Sequence, residues 1–291
     1  MTDSPSAPVA DKSGSVPSAD RRNLLLRVVS ALVMAPLAVA AAWLGGWPFA
    51  LFWGLAAAGV WWEWTAIVAA SAARLVMLTG VGVLALALML AATGRFVAAI
   101  SVVVLGATAT NVVAPAGRGA WIGAGSLYAS SLLLAPLVLR HDPAWGFIAV
   151  VFVFAVVWTT DILGYVFGRA VGGPKLWPRV SPNKTWSGAL AGAIGSVAVG
   201  YGFGHGVIAG ATLYLGAVGL ALSVVSQAGD LFESAIKRRF GTKDASHMIP
   251  GHGGLMDRLD GFIAAALAAA IYGSLRAGLD NSAQGLLQWS P

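Results

Sequence analysis

Stretch after stretch of mostly apolar residues, each roughly twenty long, runs through this chain, and that pattern leaves it few ways to fold. Crossing ~30 Å of hydrocarbon as a helix takes about 20 such residues. Nine segments qualify or nearly so: 28–45, 49–68, 75–92, 96–114, 120–139, 146–168, 188–204, 207–228 and 261–279. Most links between them are short and carry helix breakers, such as Gly45-Gly46-Trp47-Pro48, whereas 169–187 and 229–260 are long. The predicted fold is therefore an all-α polytopic membrane protein with about nine transmembrane helices and two long loops. Composition agrees. Only 10% of the 291 residues are charged and 58% are apolar, against roughly 25% charged in a soluble domain. A water-soluble globule of this size has too few charges to cover its surface. Cysteine is absent, which removes disulfide frameworks, thiolate nucleophiles and Cys-ligated metals together.

Residues 1–22, rich in Ser, Pro, Ala and Asp, are read as a disordered cytoplasmic tail. Residues 23–145 are expected to form the N-terminal transmembrane helices, and 146–291 a C-terminal transmembrane region with loops 169–187 and 229–260. The lysines and arginines test the topology. With a cytoplasmic N-terminus, fifteen fall on its side, including Arg21, Arg22, Arg27, Arg74 and Arg118, and only Arg95, Arg140 and Arg276 on the far side. Both long loops are thereby expected on the cytoplasmic face. Asp20-Arg21-Arg22-Asn23-Leu24 also has the look of a twin-arginine export signal. The run of spans that follows favours an uncleaved first helix.

Acidic residues are scarce, numbering twelve, and five of them lie within 229–260: Asp230, Glu233, Asp244, Asp257 and Asp260. A solvated loop that merely orients helices needs basic residues but not acids, so this clustering reads as a site. On a helix Asp230, Ser234 and Lys237 share one face, and Asp257 and Asp260 stand one turn apart at the mouth of the last span. Carboxylates at two helix mouths suit a hard divalent cation, since magnesium takes one or two carboxylates, waters and phosphate oxygens. Between them runs Ile249-Pro250-Gly251-His252-Gly253-Gly254, which is either an anion-approaching backbone or a plain turn. The other long loop holds Arg169, Lys175, Arg179 and Lys184 with no acid. Ser181 is placed to cap a following helix, with Lys184 and Thr185 beside its N-terminus, an arrangement that fits either a phosphate site or an interfacial Lys/Trp anchor. Asp161, about two turns inside the sixth span, needs a partner or water. Glu63, flanked by Trp61, Trp62 and Trp64, reads as interfacial and structural.

The segment Ser234-Ala-Ile-Lys237-Arg238-Arg239-Phe-Gly-Thr-Lys243-Asp244-Ala-Ser-His-Met-Ile-Pro250-Gly251-His252-Gly253-Gly254-Leu-Met-Asp257-Arg258-Leu-Asp260 closely resembles the C-terminal signature of phosphatidate cytidylyltransferases, also called CDP-diacylglycerol synthases. Ser181-Pro182-Asn183-Lys184-Thr185-Trp186 is similar to that family's second cytoplasmic motif, with Asn183 and Ser187 departing from its usual residues. The resemblance covers roughly 155–265. It implies an all-helical integral membrane enzyme of the bacterial inner membrane, a homodimer with its active site on the cytoplasmic face. The implied reaction joins CTP and phosphatidic acid to give CDP-diacylglycerol and pyrophosphate, with Mg2+ and room for a second cation. No nucleic acid is implied as a partner. Carried over residue by residue, Asp230, Asp257 and Asp260 serve the metal, and Lys184 and Lys237 join them as catalytic groups. Ser181, Thr185, Ser234, Arg238, Lys243, Asp244, His252, Gly253 and Arg258 are the implied substrate-binding residues.

Two rival readings follow from the same residues. A secondary transporter also uses an intramembrane acid such as Asp161, but places its charges near the bilayer midplane. An anionic-lipid scaffold uses the basic residues and leaves the acids idle.

Overall fold

A computed structural model describes residues 33–69, 74–208, 210–246 and 253–289. The tail 1–22, the basic flank Arg21, Arg22 and Arg27, and His252 lie outside the described residues. Helices dominate: α1 (Val33–Leu44), then α2 (Gly46–Ala69), α3 (Arg74–Ala92), α4 (Phe96–Val113), α5 (Gly119–His141) and α6 (Gly146–Ala170). A hairpin of β1 (Lys175–Trp177) and β2 (Ser181–Thr185) follows. The chain closes with α7 (Trp186–Gly206), α8 (Thr212–Arg239), α9 (Met256–Ala277) and the short α10 (Ser282–Leu287). Among the described residues seven helices are long and apolar enough to cross a membrane, namely α2 to α6, α8 and α9. The described part of α1 is shorter, and α7, rich in glycine and serine, falls outside that measure.

Helices α2 to α5 pack as one group and α6 to α8 as another, and α9 lies against both. Large rings fill the first group, with Phe49, Trp53, Trp61 and Trp64 all nearly inaccessible. A buried indole N–H needs an acceptor. Trp64 Nε1 donates to the Trp121 carbonyl at 2.9 Å, and Trp61 Nε1 to the Met77 carbonyl at 3.3 Å, so each ring also ties α2 to a neighbour. The second group uses small residues, which let backbones approach closely. A Cβ at Gly192 of α7 would stand 2.8 Å from the Thr160 carbonyl of α6. At the same level Thr160 Oγ1 lies 2.9 Å from Ser196 Oγ and 2.8 Å from Ser223 Oγ, joining α6, α7 and α8 through buried hydroxyls.

The end carrying Arg140 and Arg276 is tied by backbone capping. Asp142 Oδ1 accepts from the N–H groups of Ala144 and Trp145 at the start of α6, and its Oδ2 from Gln284 N in α10. Arg276 donates to Tyr214 Oη, Gly285 O and Gln288 O at 2.6–2.8 Å.

Three local expectations change. Residues 229–239, expected in a loop, are the last turns of α8, because 230–239 contain no glycine or proline before Gly241, where φ is positive. The loop 169–187 contains an antiparallel hairpin in which Lys175 pairs with Thr185 and Trp177 with Ser181. Ser181 is therefore a strand residue and not a helix cap. Thr185 takes that part, its Oγ1 accepting from Gly188 N at 3.2 Å at the start of α7.

Candidate active site

One cavity of about 1100 Å³ opens where α6, the hairpin, α7, α8 and α9 meet. Its polar half is lined by Asp161, Arg169, Lys175, Lys184, Thr185, Gln227, Asp230, Asp257, Arg258 and Asp260. Its other half is apolar, formed by Met34, Phe52, Trp53, Phe154, Val157, Trp158 and Phe262 among others. Trp53 stacks on Phe262 with centroids 4.8 Å apart, Phe154 packs on Phe262 at 5.1 Å and on Trp158 at 5.2 Å, so the rings behind this wall form one contiguous aromatic cluster whose exposed member is Trp158. Both long loops of the sequence thus face one space.

Helical spacing explains the polar half. Gln227 and Asp230 stand one turn apart on α8, and Asp257 and Asp260 one turn apart on α9. Lys184 of β2 forms an ion pair with Asp230 of α8, linking the hairpin to the helix. Ser234 Oγ is 3.5 Å from Asp230 Oδ1. Asp260 Oδ1 accepts from Gly261 N at 2.7 Å. Asp161 feels the charges of Asp230, Lys184 and Arg258, and Asp260 those of Asp230, Glu233 and Asp161.

Not every expected residue reaches this space. Lys237 spends its ammonium on two carboxylates, Glu233 Oε2 at 2.7 Å and Asp257 Oδ1 at 2.5 Å, and is not part of the cavity wall. Asp257 reaches the wall, but its oxygens are engaged: Oδ1 by Lys237, and Oδ2 by the N–H groups of Ala245 (3.1 Å) and Gly254 (2.8 Å). Ser181 and Ser234 are likewise absent from the lining. Arg238, in the last turn of α8, has Nη1 3.4 Å from the Thr242 carbonyl, and Lys243 and Asp244 are exposed beyond the helix. Gly253 adopts a φ of +81°, a conformation open to glycine.

Asp230, Asp257 and Asp260 are expected to share one metal ion, and their surroundings differ. Among the described residues no three carboxylate or imidazole groups converge to hold an ion, because Asp257 is turned toward Lys237 and the backbone. A hard cation needs fewer protein oxygens when substrate phosphates complete its shell. Asp230 and Asp260 both line the cavity and meet that lesser requirement.

Several lining residues were not singled out from the sequence as binding groups. Asp161, Arg169 and Lys175 stand out in the sequence as charges, and Asp161 and Arg169 also lie in a segment similar to the one preceding the family's second motif. Gln227 is not among the expected residues, although an amide one turn before Asp230 in an apolar helix is a usable signal. The aromatic wall had no signal, since its residues are scattered over α2, α6 and α9.

A sequence model described as the cytidylyltransferase family matches residues 25–275. A phosphatidate cytidylyltransferase of Brucella abortus biovar 1 (strain 9-941) is 40% identical over 255 residues, covering 87% of this chain and 94% of that protein. The same-named protein of Staphylococcus saprophyticus is 40% identical over 145 residues, covering 50% of this chain and 52% of its own length. That of Haemophilus influenzae is 42% identical over 130 residues, or 43% of this chain and 45% of its own. With most of its length matched and a single amphipathic cavity joining its two signature segments, this chain belongs to the cytidylyltransferase family.

Proposed function

We propose that this chain is a phosphatidate cytidylyltransferase, transferring CMP from CTP to phosphatidic acid to give CDP-diacylglycerol and pyrophosphate. The observation that carries the reading is one cavity whose lining combines a cluster of charged side chains with aromatic and apolar ones. A nucleotide triphosphate and a lipid phosphate have to meet at such a boundary. The phosphatidate phosphate is the nucleophile at the α-phosphorus of CTP, and pyrophosphate leaves. That oxygen is largely ionised near neutral pH, so the site needs no dedicated base.

What the residues must supply is relief of repulsion between two polyanions. Lys184, Lys175, Arg169 and Arg258 present positive charge around the polar half, where they stabilise charge on the transferring group. Thr185 lies with Lys184 at the start of α7, where backbone N–H groups favour phosphate. Asp230 and Asp260 are the residues that would hold Mg2+. When bound, the ion would neutralise phosphate charge and align the reacting groups. Lys184 pairs with Asp230 and is the group that arriving phosphate would draw away. Lys237 acts at one remove, by fixing Asp257.

The cavity is placed on the cytoplasmic side of a bacterial inner membrane, an arrangement supported by the bias of fifteen basic residues against three. Assembly as a homodimer belongs to the same reading. The test uses detergent-solubilised protein with phosphatidate and CTP labelled at the α-phosphate. Label should enter the lipid fraction without any sealed vesicle and should stop doing so on addition of EDTA. Absence of labelled lipid refutes the activity, and EDTA-insensitive labelling refutes the metal.

A further inference from the structure

We infer that Glu63 of α2 is a positioning residue for the cavity's α9 wall, a role that rests on the cytidylyltransferase reading above. This carboxylate is fully buried. Its Oε2 accepts from Met256 N at 2.6 Å, and its Oε1 accepts from Leu255 N at 2.7 Å and from Ser246 Oγ at 2.5 Å. The first N–H groups of a helix have no partner within it, and α9 receives no side-chain cap from its own N-cap residue, Leu255. Glu63 supplies that cap from a helix almost two hundred residues earlier. A negative charge there also complements the positive end of the α9 dipole.

The consequence for the site follows from what α9 carries. Asp257, Arg258 and Asp260 all lie in its opening turns and all line the cavity. Asp257 pins Ala245 N and Gly254 N from one side, while Glu63 holds Ser246, Leu255 and Met256 from the other. Gly254 sits between the two carboxylates: a Cβ there would stand 2.8 Å from Glu63 Oε1 and 2.7 Å from Ala245 Cβ. The backbone entering α9 is thus gripped by two acids from different elements, and its register fixes where Asp260 and Arg258 point. Glutamine at 63 is nearly isosteric but has one oxygen, so its amide N–H would confront either Met256 N–H or the Leu255 and Ser246 donors.

The experiment compares the full-length wild type with Glu63→Gln and Ser246→Ala, using Trp62→Phe as a neighbouring control. Each is assayed for kcat, KM for phosphatidate, melting temperature and deuterium uptake over 253–261. Glu63→Gln, assayed well below its own melting temperature, should lose roughly 10²-fold in kcat through misplacement of the α9 groups. Its KM for phosphatidate should stay within about twofold, and uptake over 253–261 should rise. Ser246→Ala, which removes one donor and adds none, should lose about threefold in kcat. A purely structural cap would lower the melting temperature and leave kcat per folded molecule unchanged. Wild-type kcat in folded Glu63→Gln, or unchanged uptake, overturns the inference. Should Glu63→Gln not fold, wild-type kcat in Ser246→Ala overturns it. A wild type that makes no labelled lipid sinks the enzymatic reading itself, and uptake still decides whether Glu63 holds α9.

Discussion

Replacing Lys237 by methionine isolates the energetics of the α8–α9 contact. The Lys237 side chain is 12% exposed, and its partners Glu233 and Asp257 are 1% and 11% exposed. At 2.7 and 2.5 Å, each pair has a gross attraction of about 6 kcal/mol at an effective dielectric constant of about 20. Desolvation of three charges cancels most of it, and removing one partner of a buried pair costs about 3–5 kcal/mol. Asp257 would keep its two backbone donors, so the loss falls on Glu233. Its Oε1 has no hydrogen-bond partner among the described residues. Lys237→Met should therefore lower stability by about 3 kcal/mol, near the bottom of that range. Adding Glu233→Gln removes the buried carboxyl group, which without Lys237 must take up a proton, and should recover about 2 kcal/mol. Unfolding by SDS in mixed micelles measures both variants. The reasoning fails if the single variant stays within about 1 kcal/mol of wild type, or if the double variant is no more stable than the single.

Lys184→Ala should lower kcat/KM for CTP by about 10–100-fold, the range for losing a charge-assisted phosphate contact, with melting temperature little changed; an unaltered CTP dependence would count against Lys184. Asp260→Asn should lower kcat by roughly 10²-fold or more and shift its Mg2+ dependence upward, which a magnesium titration of the lipid-labelling rate reads directly. Thr160→Val removes the hydroxyl shared with Ser196 and Ser223 and should cost about 1–3 kcal/mol in SDS unfolding. Its kcat per folded molecule should match wild type.

Much of this architecture is legible in the sequence because hydrophobic length and charge scarcity are one-dimensional signals. Segments 49–68 through 146–168 coincide closely with α2 to α6, whereas Asp230, Asp257 and Asp260, expected in the loop 229–260, lie on α8 and α9 with the one-turn spacing their sequence positions imply. Loop and partner choices are harder to read. The hairpin at Lys175–Thr185 depends on main-chain pairing that its polar, proline-containing sequence hardly advertises. Lys237 lies on the predicted face of α8, yet its ammonium is captured by Glu233 and Asp257, and no spacing rule ranks those acids above a phosphate. Glu63 was read as interfacial because three tryptophans surround it. Two of its three partners, Leu255 N and Met256 N, are backbone groups, and backbone donors leave no residue-type signature.

The aromatic wall of Trp53, Phe154, Trp158 and Phe262 beside the charges of Lys184 and Asp230 constrains inhibitor chemistry. A hydrophilic nucleotide mimic can engage only one side of that pocket, and a bare hydrocarbon only the other. Tight blockers should be amphiphiles whose anionic head and oily tail are joined by a linker long enough to span the seam between the two surfaces.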